Sequence, residues 1–255
     1  MAGTEGGWDL LANSWTAPID LSKFQVSDFT GAEATVYIYN TGTYSQYNGN
    51  ENKYATSSNT AGQYLALPVK AAGAISSTSV IMPMQGFFLG STDAGSASLT
   101  LDYDRLVRRD FSTTVTNEPL RAPRKDVDKS RSADSWQHLS IVVAGEHGGD
   151  ELHLLESDEW TAEFDNGYEA KKMEGGDALP MLVAQTQLGD MAVLATDDWD
   201  GTAMGFRSGS DLEYTFYFGY DGTDEIYLED MQTGQLIAIS DGRSEEHTSE
   251  LQSHL

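Results

Sequence analysis

Three histidines are the side chains best suited to proton transfer or metal binding. His138, His147 and His153 carry imidazole rings, which titrate near neutral pH and ligate transition metals. His147 and His153 are six positions apart, so they do not form the HExxH pattern that puts two imidazoles on one helix face. Because His138 and His153 fall on the outward side of predicted strands, we interpret them as ordinary surface histidines.

Motifs for nucleophilic and phosphate chemistry are absent from the sequence. The chain has no cysteine, which excludes thiol catalysis, thiolate metal sites and disulfides. It has no G-x-S-x-G motif, no phosphate-binding loop and no G-x-G-x-x-G, although a dispersed Ser–His–Asp triad stays open. We therefore predict no catalytic, cofactor-binding or metal-ligating residue, and we expect that this part of the protein is not an enzyme.

Two acidic turns are the candidates for a cation site. Three carboxylates lie within the four positions 197–200, which Gly201 follows. Three more lie within the five positions 221–225. Calcium takes about six to eight oxygen ligands from loops of this kind. The EF-hand pattern fails because no Glu stands at the twelfth place, and Asp and Gly are also the commonest turn formers. We favour structural turns over calcium sites.

Tryptophans could supply a platform for a sugar ring. Trp160 and Trp199 lie in predicted loops, where an exposed aromatic ring could stack on a carbohydrate. Tryptophans of β-sandwiches usually pack beneath such loops, so we favour core packing for both and keep the sugar platform as the alternative. For Trp8 and Trp15 we also expect a core role.

The elements that would position these side chains fall into two acidic stretches separated by a basic one. Residues 110–135 contain two prolines, several serines and threonines and few large apolar side chains, which is typical of a linker or an exposed loop. Eight of the fifteen basic residues form a basic cluster in and just before this stretch: Arg105, Arg108, Arg109, Arg121, Arg124, Lys125, Lys129 and Arg131. This cluster could bind an anionic surface polysaccharide or an acidic face of the same molecule, but we favour a solvated linker.

The stretch before the linker predicts β-strands. Residues 34–40 alternate, with Val36 and Ile38 on one face and two tyrosines on the other. Residues 43–47 are a candidate hairpin partner, and Pro83 interrupts the apolar run that surrounds it. A further alternating stretch is expected to turn three side chains inward: Leu99, Leu101 and Tyr103.

The stretch after the linker also predicts strands. Residues 211–218 form the clearest one, and a short helix is predicted only around residues 168–173. Short strands at spacings of about 8–12 residues, separated by Gly and Asp turns, favour a jelly-roll type of sandwich. One face of the clearest strand carries Leu212, Tyr214, Phe216 and Phe218.

We therefore predict an all-β fold with two β-sandwich or jelly-roll-like domains joined by a basic linker. The boundaries are 1–109 for the first domain, 110–135 for the linker and 136–242 for the second domain. With 39% hydrophobic residues over 255 positions, the chain can fill such cores. Its net charge of −25 argues against nucleic-acid binding, and no apolar run approaches the roughly 18 residues of a membrane-spanning helix.

Several segments resemble landmarks of large exported surface proteins of Bacteroidetes-type bacteria. Residues 7–20, with the sequence GWDLLANSWTAPID, resemble the opening of a β module in that family, and residues 36–40 and 81–88 look like its later landmarks. The second domain is similar to the β-sandwich that commonly follows this module. The segments that carry this second similarity are 150–151, 164–170, 205–207, 214–216 and 226–234.

This resemblance implies export, often by the type IX route, and therefore a secreted or cell-surface location. It implies a non-catalytic structural or adhesion-type region, which acts as a spacer or presenting module in a larger protein. The alternative is a carbohydrate-binding module with a loop aromatic platform and a structural calcium. The expected partners are a surface glycan or other domains of the same protein, and a catalytic domain elsewhere in the full gene stays open.

The end of the chain differs in kind from the rest. Residues 243–254 match the in-frame translation of a common sequencing-library adapter, so we expect 243–255 to be a non-native tail. Residues 1–7 lack the basic and apolar parts of a signal peptide. We therefore expect a fragment of a longer gene, in which the second domain lacks its last strand.

Overall fold

The computed structural model describes most of both predicted domains. The described residues are 7–40, 62–76, 79–92, 97–106, 136–146, 148–222, 224–231 and 233–239, with the backbone of 244–245. The predicted linker at 110–135, the candidate hairpin strand at 43–47 and most of the tail lie outside them, as do His147 and all of the basic cluster except Arg105. We call residues 7–106 the first half and residues 136–239 the second half.

The regular elements of the first half are mostly short strands. In chain order these are β1 (Trp8–Ala12), β2 (Ile19–Asp20), β3 (Phe29–Thr30), β4 (Thr35–Tyr39), β5 (Tyr64–Pro68), β6 (Val80–Ile81), β7 (Gly86–Gly90) and β8 (Ser98–Leu99). A one-turn helix, α1 (Ala72–Ile75), follows β5, and 3₁₀ turns occupy Leu21–Lys23, Val26–Asp28 and Tyr103–Arg105.

A four-stranded antiparallel sheet frames this half, in the order β1–β7–β4–β5. Because side chains alternate across a strand, Val36 and Ile38 face the buried core, as predicted. The pairs β2–β6 and β3–β8 are separate two-stranded sheets whose side chains join that core. Pro83 lies in the turn between β6 and β7, which confirms that it ends a strand.

The second half is built on longer strands. They are β9 (Gln137–Ala144), β10 (Gly149–Glu156), β11 (Ala170–Lys171), β12 (Met181–Thr186), β13 (Gly189–Thr196), β14 (Ala203–Arg207), β15 (Thr215–Tyr220), β16 (Ile226–Asp230) and β17 (Gln235–Ile239). The backbone of Ser244–Glu245 forms a short further strand, β18, beside β15.

These strands form one large sheet in the order β14–β12–β13–β10–β9–β15–β18, with β11 also paired to β13. The β10–β13 pair is parallel and the other pairs are antiparallel. One face of the sheet carries the core of this half, against which part of the β16–β17 hairpin packs. The described residues thus confirm the predicted all-β class.

Three local predictions were wrong. The helix expected at 168–173 contains β11 instead, because its backbone pairs with β13 and tertiary pairing overrides local propensity. Tyr103 is exposed rather than inward. The strand expected from residue 211 begins at Thr215, so Leu212 is 91% exposed, whereas Tyr214, Phe216 and Phe218 are buried as expected.

No helix within the described ranges is long and apolar enough to cross a membrane.

Candidate functional site

The two halves share a buried apolar cluster, which we call the junction. On β4, Val36 and Ile38 face the core of the first half, so Tyr37 points to the opposite side of the sheet. That ring packs into a cluster that both halves supply. Its buried members are Tyr37, Ala66 and Ala71 from the first half and Leu155, Trp160, Ala170, Ala192, Val193 and Ala195 from the second.

Hydrogen bonds fix the register of β4 against residues 166–171. The amide of Ala34 donates to Asn166 Oδ1 at 2.7 Å, and Thr35 Oγ1 donates to the carbonyl of Glu169 at 3.0 Å. Two residues further along β4, the Tyr37 hydroxyl donates to the carbonyl of Lys171 at 3.0 Å. Three successive contacts of this kind allow a single alignment of the two segments.

Backbone and side-chain amides extend the same contact beyond β4. The amide of Lys70 donates to the Gly167 carbonyl at 2.9 Å, and Gln63 Nε2 donates to the Pro180 carbonyl at 2.6 Å. Gly167 has φ +94°, and a Cβ there would lie 2.8 Å from Val26 Cγ2. Only glycine accepts both the left-handed backbone and this close approach without strain.

Charged groups at the junction are buried or partly buried. Lys171 Nζ lies 2.6 Å from Glu33 Oε1, and the Glu33 side chain is almost fully buried. The Glu169 carboxylate accepts from the amides of Asp165 and Ala195. Burial raises the pKa of Glu169 to about 7, although these two amide donors lower it. The junction therefore contains a carboxyl group that titrates close to neutral pH.

A second buried ion pair lies within the second half. Lys172 Nζ is 2.5 Å from Asp150 Oδ2, and the same oxygen accepts from the Leu182 amide at 2.6 Å. Burial raises the pKa of Asp150 despite the neighbouring ammonium group. This pair ties the segment after β11 to β10 and β12, so it supports the residues that contact the first half.

An aromatic face continues from the junction across the outer side of the first sheet. Trp8 packs edge-on against Tyr37, with ring centroids 4.8 Å apart, and Tyr64 packs in the same way against Phe88 at 5.6 Å. Trp8 is 43% exposed and Leu10 is 65% exposed. Trp15 is also exposed, so the core role expected for Trp8 and Trp15 was wrong. Both lie on or just after β1, which is an edge strand.

Trp160 and Trp199 pack as core residues, as predicted. Trp160 is 8% exposed and contacts the rings of Trp136 and Tyr168. Trp199 is half-buried, with its ring edge-on to Tyr220 at 6.1 Å. Neither side chain is exposed to the extent that a sugar platform needs.

The acidic turns use their carboxylates to bind backbone amides. Asp198 Oδ1 accepts from the amide of Asp200 at 2.8 Å, and Asp221 Oδ1 accepts from the amide of His138 at 2.7 Å. The first bond lies within its turn, whereas the second joins its turn to the start of β9. Within the described ranges, no three or more His, Cys, Asp or Glu side chains are arranged to hold a metal ion.

The histidines are the clearest departure from the sequence expectation. His153 is 5% exposed, so its interpretation as a surface residue was wrong. Its Nδ1 lies 3.0 Å from His138 Nε2, and the two rings are tilted by 35°. Burial and the neighbouring imidazole lower the pKa of His138 to about 3. The sequence could not predict this pair. The alternation of apolar and polar residues shows which side chains share a face of a strand, but it does not show which other residues pack on that face.

The chain is similar to a fimbrial protein over most of its length. It is 30% identical over 244 residues to the minor fimbrium subunit Mfa5 of Porphyromonas gingivalis. The alignment covers 93% of this chain and 19% of that protein, so the chain spans about a fifth of the length of the relative it matches. No family model and no solved structure matches the chain. The similarity supports the relationship to Bacteroidetes surface proteins that the sequence suggested.

Proposed function

We propose that this chain is a rigid, non-catalytic segment of a bacterial cell-surface protein of the fimbrial or adhesive type. In this function it acts as a spacer that presents other parts of the same protein. The observation that carries the proposal is the junction, where a shared apolar cluster and a row of hydrogen bonds hold the halves together. A flexible tether needs no such contacts, whereas a spacer that keeps a fixed direction does.

The similarity to a fimbrium subunit supports the surface location in this proposal. The division into domains 1–109 and 136–242 with a linker at 110–135 is part of the same proposal, as is export by the type IX route. These two parts are supported by composition and by the resemblance of residues 7–20 to the opening of an exported β module. The packing of Trp160 leaves the sugar-platform alternative without a comparable supporting contact.

Distance measurements between spin labels test whether the two halves form a rigid unit. The chain has no cysteine, so Ser27→Cys and Gln187→Cys place one label on an exposed position of each half. We expect a single narrow distance distribution in pulsed electron paramagnetic resonance, because the junction fixes the alignment of the halves. A broad distribution in the otherwise unchanged chain would contradict the spacer proposal.

Two further variants connect the result to the junction. Asn166→Ala combined with Lys171→Ala removes one hydrogen bond and the ion pair to Glu33, and it should broaden the distribution. Lys23→Ala is the matched control, because Lys23 pairs with Asp20 inside the first half. The control should leave the distribution unchanged.

A further inference from the structure

We propose that His138 and His153 form a two-histidine chelate for a divalent transition metal ion such as Zn²⁺ or Cu²⁺. The site is separate from the junction hydrogen bonds and does not depend on the proposed spacer function. Imidazole nitrogen is a preferred ligand of both metals. Because the described residues offer no third His, Cys, Asp or Glu ligand at this position, solvent would complete the coordination.

Strand register explains why residues 15 positions apart meet. In the antiparallel β9–β10 pair, His138 lies opposite Leu155 and His153 lies opposite Ser140. The two histidines are therefore diagonal neighbours on the same face of the sheet, close enough for long side chains to touch. This face is opposite to the one that carries the core residues Leu139 and Leu154, so two ring nitrogens converge outside that core.

The distance between the nitrogens suits a shared metal ion. Two imidazole nitrogens that bind at about 2.05 Å are about 2.9 Å apart for a right-angle arrangement and about 3.3 Å apart for a tetrahedral one. His138 Nε2 and His153 Nδ1 are 3.0 Å apart, which lies between these values. Without a metal, one of the two nitrogens must carry a proton to bond to the other, and a metal ion would displace that proton.

The other nitrogen of His153 provides an independent observation. His153 Nε2 is buried without a hydrogen-bond partner, and the nearest carboxylate oxygen is Glu151 Oε1 at 3.8 Å. Metal-ligating histidines usually donate their second N–H to a carboxylate, which fixes the tautomer and makes the ligand more basic. Glu151 is placed for this function. A small shortening of the 3.8 Å distance would let His153 Nε2 donate to the Glu151 carboxylate while His153 Nδ1 binds the metal.

The position of His138 is compatible with access of a metal ion. His138 is less deeply buried than His153, so a metal ion would approach the pair from that side.

Calorimetric titration of Zn²⁺ and of Cu²⁺ into the untagged full chain tests the proposal. The background should carry His247→Gln and His254→Gln, so that the tail imidazoles do not contribute. We expect one metal ion per chain, and at least a tenfold loss of affinity in both His138→Gln and His153→Gln. Glu151→Gln should lower the affinity about 10- to 100-fold, and His147→Gln should leave it unchanged.

A spectroscopic and a stability measurement separate the outcomes. The Cu²⁺ complex should show hyperfine coupling to two nitrogens, and this coupling should drop to one in His138→Gln. Bound metal should also raise the melting temperature. If His153→Gln fails to fold, His138→Gln carries the test because its side chain is the more exposed. Binding that survives the loss of either histidine, or no binding at millimolar metal, would overturn the proposal.

Discussion

Lys171 and Lys172 are adjacent in sequence and lie in opposite environments. The Lys171 side chain is 48% exposed, whereas the Lys172 side chain is 2% exposed beside an equally buried Asp150. An exposed ion pair is worth about 0–1 kcal/mol, but a buried charge that loses its partner costs about 3–5 kcal/mol. The Lys172–Asp150 pair is buried at both ends, whereas the Lys171–Glu33 pair is buried only at Glu33. Loss of Lys172 should therefore cost more stability than loss of Lys171, a difference that residue type alone does not reveal.

Glu169 gives the junction a pH dependence whose sign follows from its pKa. Burial raises the pKa of Glu169 in the folded chain to about 7 from its ordinary value of 4.5, so between these pH values the folded state binds more protons than the unfolded state. Its contribution to stability therefore falls as the pH rises from about 4.5 to 7. As the pH rises across this window, the free energy of unfolding of Glu169→Gln should increase relative to that of the unchanged chain. Urea unfolding at each pH measures both free energies.

The absolute stability of Glu169→Gln is not the informative quantity, because an amide can accept only one of the two backbone hydrogen bonds. The informative quantity is the difference between variant and unchanged chain as a function of pH. A difference that stays constant from pH 4.5 to 7.5 would contradict the assignment. Glu163→Gln, at an exposed position of the same loop region, is the control and should show a constant difference.

At the scale of elements, alternation predicted strands well but could not predict their partners. The alternation at β4 correctly predicted that Val36 and Ile38 share one face, which lies in the core of the first half. It gave no sign that Tyr37, on the opposite face, is also buried. What covers that face comes from residues more than 130 positions away. No local pattern contains this information, so the junction, the burial of His153 and the strand at β11 could not be predicted from the sequence.

Gly167 shows how a turn residue determines the position of a whole element. We expect Gly167→Ala to destabilise the chain by about 2–4 kcal/mol in chemical denaturation, because it combines a left-handed backbone with a contact that is too short to Val26. Gly201→Ala is the matched control. Gly201 also has positive φ, at +72°, but a Cβ there would meet nothing within 4 Å.

Gly201→Ala should therefore cost only the backbone penalty of about 1–2 kcal/mol. Equal losses in the two variants would show that the space between Gly167 and Val26 is not a constraint, and that the turn is not held against the first half. A larger loss for Gly167→Ala would instead connect the turn to the junction, since its neighbours Asn166 and Glu169 supply two of the hydrogen-bond acceptors there.

At the scale of the whole molecule, the junction makes each half part of the other's environment. Tyr37 is fully buried, and Trp160 and Leu155 of the second half pack into the same cluster. Burying a large aromatic side chain is worth about 1.5–3 kcal/mol, so separating the halves is unfavourable before either one unfolds. Two halves coupled in this way should melt together, although a basic segment separates them in sequence.

We therefore expect a single transition in differential scanning calorimetry, with equal calorimetric and van't Hoff enthalpies. Tyr37→Ala combined with Asn166→Ala removes a junction ring and two hydrogen bonds, and it should split the melt into two transitions. Phe87→Ala removes a comparable ring from the core of the first half, so it should lower the melting temperature without splitting the transition. Two independent transitions in the unchanged chain would mean that the junction does not couple the halves, and the rigid spacer would then lose its physical basis.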